Sequence, residues 1–226
     1  MDHRFAAFVS MMIVAVALAA CGQREAVFPD AGGSFFGGTC GPGYPGGDAA
    51  DAGADTEYAV EEGATFPCAL WESARLAGGD IFINVAQVFL EAKHGVTDDK
   101  ALVIVVSARN CGPCQALTDA LAARRADLEA AGAFVVGMAR SDLQAPTEPY
   151  FDLDEAYETM EDEGWPVEYW HVINDAEGYL PATFDSGTPW VVVADLSDME
   201  VLAASNTAFS PNASGVEALI SLVQGL

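Results

Sequence analysis

The sequence predicts an α/β fold built on one mixed sheet, and three observations carry that expectation. The runs 102–106 and 134–138 are almost wholly aliphatic, as expected of strands buried on both faces. A helical pattern lies between them, which is the order of a parallel strand-helix-strand unit. The chain then closes with two strands, 190–194 and 199–203, paired across Leu196-Ser197-Asp198, and a helix over 215–226. With 226 residues and 51% apolar character there is material for one full domain plus appendages.

Taken in order, the periodic part starts after Glu62. Asp80 is placed to cap a helix whose apolar positions Ile81, Val85, Val88, Phe89 and Ala92 recur at helical spacing, with His94 and Gly95 at its end. His94 in a last turn suits the helix dipole and has a structural role. After the first buried strand a helix carries Leu117, Leu121 and Leu128 on one side and stops at Gly132. Over 152–163 the seven acids Asp152, Asp154, Glu155, Glu158, Glu161, Asp162 and Glu163 form the wet side of a helix whose apolar face is Leu153, Ala156, Tyr157 and Met160. The segment 167–173 is expected to be a short strand.

Charge and composition exclude several functions. Nine basic residues against 34 acids leave a formal charge of −25, so no phosphate-neutralising surface for nucleic acid can be assembled. With three histidines, one of them His3 in the leader, multi-histidine metal cages are excluded. Asp48, Asp51 and Asp55 lack the ligand spacing of a calcium loop, and 152–163 has Tyr157 where such a loop turns on glycine. No metal or cofactor is expected.

The N-terminus carries an address. A charged start is followed by an apolar run over 5–20, too short to cross a bilayer comfortably, and then by Cys21-Gly22. Leu18-Ala19-Ala20-Cys21 resembles a bacterial lipoprotein box. That resemblance implies removal of residues 1–20, acylation of Cys21 and a permanent hold on a membrane of the cell envelope. By resemblance to enterobacterial lipoprotein sorting, Gly22 rather than Asp behind the cysteine implies the outer membrane over the inner, with the domain facing the periplasm. An ordinary cleaved signal and an uncleaved anchor are the alternatives. Residues 21–63 hold half of the chain's 22 glycines and no hydrophobic period, and read as a flexible linker reaching roughly 35 Å. The folded domain is then 64–226.

The cysteines at 111 and 114 carry the chemistry. Cys111-Gly112-Pro113-Cys114 follows a buried strand and opens a helix, and no second pair of cysteines or histidines stands at the spacing a structural zinc needs. Cys111 is expected at a helix N-terminus, where free amides favour its thiolate, with Arg109 adding positive charge. Cys114, one turn further in, is placed to resolve a mixed disulfide on Cys111, and Pro113 sits where a missing amide costs nothing.

Here the sequence resembles the thioredoxin superfamily, through the strand-CGPC-helix unit, the pair Thr188-Pro189 before the strand at 190, and the order of elements. The resemblance covers about 65–226 and is nearer the membrane-tethered thioredoxin-like and redoxin branch, with Phe66-Pro67 as a fitting lead-in. It implies a three-layer thioredoxin-like fold, a mixed central sheet flanked by helices. It further implies a cis Pro189 facing the CxxC, and a Thr188 backbone that binds the substrate chain. Asn110 stands where these proteins usually carry tryptophan, and Val105 where thioredoxin has its buried acid. Ile104 and Ala108 replace the proline and the Thr or Ser of a peroxiredoxin, and the cysteine spacing is wrong for a copper carrier, which leaves His171 to packing.

The expected function is that of a lipid-anchored thiol-disulfide oxidoreductase whose partners are protein thiols and disulfides of the envelope and an unidentified electron donor. The Gly112-Pro113 dipeptide leans toward a reductant. The alternative is a lipoprotein that uses the same fold as a non-catalytic binding or assembly module. Cys40 and Cys68 remain, and in an exported protein two such thiols are expected to pair. Exchange of Cys68 with the CxxC, or two free thiols, are the other arrangements.

Overall fold

The computed structural model describes residues 44–45, 60–142, 151–176, 178–180 and 187–226. The elements are β1 (Leu70–Leu76), β2 (Gly79–Asn84), α1 (Val85–Lys93), β3 (Ala101–Arg109), α2 (Gly112–Ala123), α3 (Arg125–Ala131), β4 (Ala133–Asp142), α4 (Leu153–Asp162), β5 (His171–Ile173), β6 (Trp190–Asp195), β7 (Val201–Ser205) and α5 (Ala213–Gln224). Among the described residues the strands form one seven-stranded sheet in the order β2-β1-β5-β4-β3-β6-β7. β3, β4 and β5 run parallel to one another, and β1, β2, β6 and β7 are each antiparallel to their neighbours. The sheet is mixed, as the sequence predicts.

β3 lies inside the sheet and is buried from Ala101 to Ala108. Its alternate side chains feed two cores. Leu102, Ile104 and Val106 pack on one face with Trp71, Phe66 and the α1 residue Phe89. Val103 and Val105 pack on the other with Leu117 and Leu121 of α2, Met160 of α4 and Leu219 of α5. Helices therefore cover both faces, which is why the strand is wholly apolar from Ala101 to Val106.

Several boundaries differ from those the sequence predicts. Asp80 caps no helix: 79–84 is the second strand of a hairpin, turning at Ala77-Gly78 with φ of 51° and 76°, the positive pair a two-residue hairpin turn requires. Ile81 and Ile83 thus follow a strand period, and the cap of α1 is Asn84, whose side chain accepts from Gln87 N. The single helix expected after Cys114 is two, α2 and α3, meeting at Arg124. Gly132 ends the second at φ 94°, where a Cβ would come within 2.7 Å of the Asp98 carbonyl oxygen. Tyr169 N and Trp170 N both donate to Pro166 O, so that only 171–173 of the expected strand is extended. Met199 N closes the turn onto Asp195 O, and its strand starts at Val201.

Two further corrections matter for the site. Tyr44 and Val60 belong to the core, although both fall in the segment read as linker. The Tyr44 hydroxyl donates to Phe66 O at 2.7 Å and its ring meets Phe89 edge-on. The ring brings a large apolar area to the core, and its hydroxyl finds the partner that a buried tyrosine needs. Glu163, read as part of a wet face, is 9% exposed. His94 closes α1 as its C-cap, and His171 stacks on Phe134 at the start of β5, level in the sheet with Val136 and Ile104. No helix among the described residues is long and apolar enough to cross a membrane.

Candidate active site

The parallel strands β3 and β4 end at the same edge of the sheet, and there the chain leaves β3 through Asn110 at φ 65°, a conformation asparagine tolerates better than most residues. Cys111 follows as the N-cap of α2, and its sulfur accepts a hydrogen bond from Cys114 N at 3.2 Å. Pro113 lies in the first turn, where no amide is needed. Cys111 and Cys114 are joined in a disulfide, with Cα atoms 5.2 Å apart. Gly112 and Pro113 are exposed, while Cys111 is 5% and Cys114 1% exposed, which makes Cys114 the more deeply buried residue of the pair.

β6 runs antiparallel to β3 with Trp190 opposite Val106, so the residues entering β6 arrive beside those leaving β3. Thr188 thereby meets Cys111. Its hydroxyl donates to the Cys111 sulfur at 3.5 Å, and its carbonyl oxygen lies 3.7 Å from the same atom. The Thr188-Pro189 bond is cis and Pro189 is buried. The free amides of the twelve-residue α2, together with the Thr188 hydroxyl, favour negative charge on Cys111 once the disulfide is reduced.

Arg109 makes its hydrogen bonds to α4 and none to either cysteine. Its Nε and Nη2 donate to Thr159 Oγ1 of α4 at 3.1 and 2.9 Å, and the guanidinium lies over the Phe151 ring, 4.4 Å from its centre. Asn110 Nδ2 donates to Asp142 Oδ1 at 2.8 Å, tying the loop to the end of β4. Two residues before Arg109, Ser107 donates to Glu163 at the end of α4. Burial raises the Glu163 carboxyl to about 7 against the smaller opposing effect of the Ser107 hydrogen bond, so it can hold or release a proton near neutrality.

A second polar network ties Asp175, Tyr179 and Leu180 to β1 and β4. Asp175 accepts from Trp71 Nε1 at 2.8 Å, Arg140 Nη2 at 3.0 Å, and the amides of Tyr179 and Leu180, while Arg140 also donates to Leu180 O. Sequence reading missed both Glu163 and Asp175. Glu163 was discoverable: Ala156, Thr159, Met160 and Glu163 fall at i, i+3, i+4 and i+7 on one helical face. Asp175 had no such signal, because its partners are Trp71 and Arg140, far away in the chain.

Cys68 is half-buried and disulfide-bonded. Cys21 and Cys40 lie outside the described residues. Among the described residues no group of three or more histidines, cysteines and acids could hold a metal ion.

No family model matches the sequence, and no curated protein matches it. Solved structures do resemble the chain. A hypothetical protein from Sinorhizobium meliloti matches with a TM-score of 0.50 and 16% identity, over 74% of this chain and 86% of that one. Peroxidoxin BcpB from Mycobacterium tuberculosis matches with a TM-score of 0.49 and 16% identity, over 74% and 97%. The thioredoxin domain of a thiol-disulfide oxidoreductase from Bacteroides vulgatus matches with a TM-score of 0.45 and 14% identity, over 72% and 99%. At these identities the likeness concerns the fold alone.

Proposed function

We propose that this chain, whose fold is thioredoxin-like, is a thiol-disulfide oxidoreductase of the bacterial cell envelope that reduces protein disulfides. The observation that carries the reading is the Cys111–Cys114 disulfide at the start of α2 with Thr188 against the Cys111 sulfur. In the reduced form the Cys111 thiolate attacks one sulfur of the substrate disulfide. A Cys111–substrate disulfide forms, and the first substrate sulfur leaves as a thiolate and takes up a proton. Cys114 then gives up its proton and attacks the Cys111 sulfur, which regenerates the Cys111–Cys114 disulfide and frees the second substrate thiolate. Two electrons pass to the substrate, and a dithiol donor must return them.

The Thr188 backbone, beside the Cys111 sulfur, is suited to hold the substrate chain in extended form. The leader over 1–20 and the acylated Cys21 would tether the domain to a membrane, outer rather than inner, facing the periplasm. Purified protein should accelerate reduction of insulin by dithiothreitol, and Cys111→Ser should abolish the acceleration; equal rates for the two proteins refute the enzyme. Labelled fatty acid should enter the wild type and not Cys21→Ser.

A further inference from the structure

Five arginines lie among the described residues, and four are paired with carboxylates. Arg75 meets Asp80 and Asp154, Arg124 meets Asp127 and Glu217, Arg125 meets Glu129, and Arg140 meets Asp175. Arg109 is the exception, in a chain that carries 34 acids against nine bases. Asp142 stands opposite it across the β3–β4 ladder, yet the Asp142 carboxylate accepts from Asn110. Arg109 has no carboxylate partner among the described residues.

Its guanidinium is nevertheless held in place. Thr159 Oγ1 takes Nε and Nη2 on one edge, and the Phe151 ring supports one face at 4.4 Å. Nη1 makes no hydrogen bond among the described residues and is not one of the buried unpartnered atoms, so on a half-buried side chain it is not sealed from solvent. The edge formed by Nη1 and the second hydrogen of Nη2 is the fork that receives a carboxylate through two parallel hydrogen bonds. Because the side chain is already ordered, little freedom is lost when that edge is filled. The cation belongs to the last residue of β3, two positions before the sulfur that attacks the substrate.

We infer that Arg109 is a substrate subsite for a carboxylate, and that the preferred substrates carry an Asp or Glu side chain within a few residues of the cysteine that Cys111 attacks. This rests on the thiol-disulfide reading above. The shape of the guanidinium matters as well as its charge: lysine would supply a point charge without the fork. The chain's net charge of −25 repels acidic partners as a whole, so the preference should be local, for single acids beside the disulfide.

The test uses two disulfide-bonded peptides that differ only in Glu or Gln beside the cysteines, with dithiothreitol as electron donor and the full mature chain as enzyme. Wild type should reduce the Glu peptide with a kcat/KM about tenfold above that for the Gln peptide, mostly through KM, and added salt should shrink the ratio. Arg109→Gln should bring the ratio to about one, and Arg109→Lys should restore it only in part. A wild-type ratio of one, or a ratio that survives Arg109→Gln, overturns the subsite. Wild type inactive on both peptides overturns the thiol-disulfide reading and this inference with it, whereas activity without preference overturns the inference alone.

Discussion

Ser107 donates its hydroxyl hydrogen to Oε2 of Glu163, joining the end of β3 to the end of α4 on the face of the sheet that α2 also covers. Together with the Arg109–Thr159 bonds, it locks the strand that delivers the CxxC to one helix at two points a turn apart. Glu163 thus sets a buried acid, supplied by a helix, against the β3 residue four positions before Cys111.

Burial holds the Glu163 carboxyl at about 7, well above its unfolded value near 4.5. The folded state keeps that proton while the unfolded state has lost it, so Glu163 lowers stability progressively as pH rises from about 4.5 to 7, and no further above that. The slope is at most about 1.4 kcal/mol per pH unit. Urea unfolding of wild type and Glu163→Gln from pH 4 to 8 should show the wild type losing stability relative to the variant across this window. Parallel profiles would exclude a shifted Glu163.

Thr188 acts on Cys111 through a hydroxyl that the similarly shaped Thr188→Val lacks. Loss of one hydrogen bond to a thiolate should slow alkylation of the reduced protein at pH 7 by about three- to tenfold. Unchanged alkylation would mean that the hydroxyl does not reach the sulfur in the reduced state.

Asp175 and Arg140 form an ion pair with side chains 0% and 4% exposed. Asp175→Asn takes from the buried Arg140 cation the carboxylate it pairs with, and should destabilise the fold by about 3–5 kcal/mol in urea unfolding. A loss below about 1 kcal/mol would show that the network does not anchor this loop.

Cys68 should be paired with Cys40. Tyr44 is held against Phe66 by its hydroxyl, and Cys40 is four residues from Tyr44 while Cys68 is two from Phe66, so roughly 13 Å of extended chain suffices to bring the thiols together. The loop of 28 residue steps from Cys40 to Cys68 is worth roughly 3–4 kcal/mol by chain-entropy arithmetic. Peptide mapping after alkylation without reduction should yield peptides 40 and 68 linked. A link from 68 to 111, or alkylated thiols at both positions, contradicts it.

The readable parts of this sequence are those whose signal is local. The aliphatic run in β3, the Gly132 stop and the cysteine spacing at a strand-helix junction each need only neighbouring residues. The hairpin β1–β2 was hidden because Ile81, Val85 and Val88 also fit a helical period, and the two positive-φ residues at its turn include an alanine. Thr188 and Pro189 stand 77 and 78 residues beyond Cys111, and resemblance alone brought them to the site. The partners of Arg109 and Asp175 are set by which helices and strands the sheet order brings together, which no local pattern encodes.

The proposed division of labour between the two cysteines is tested most directly by Cys114→Ser, which keeps the sulfur assigned to attack and removes the one assigned to resolve. Incubated in reduced form with oxidised insulin and separated without reductant, the variant should accumulate a covalent adduct whose linked peptide contains Cys111, while wild type accumulates none. If the variant forms no adduct, or the linked peptide contains Cys68 and not Cys111, the assignment of Cys111 as the attacking residue is wrong.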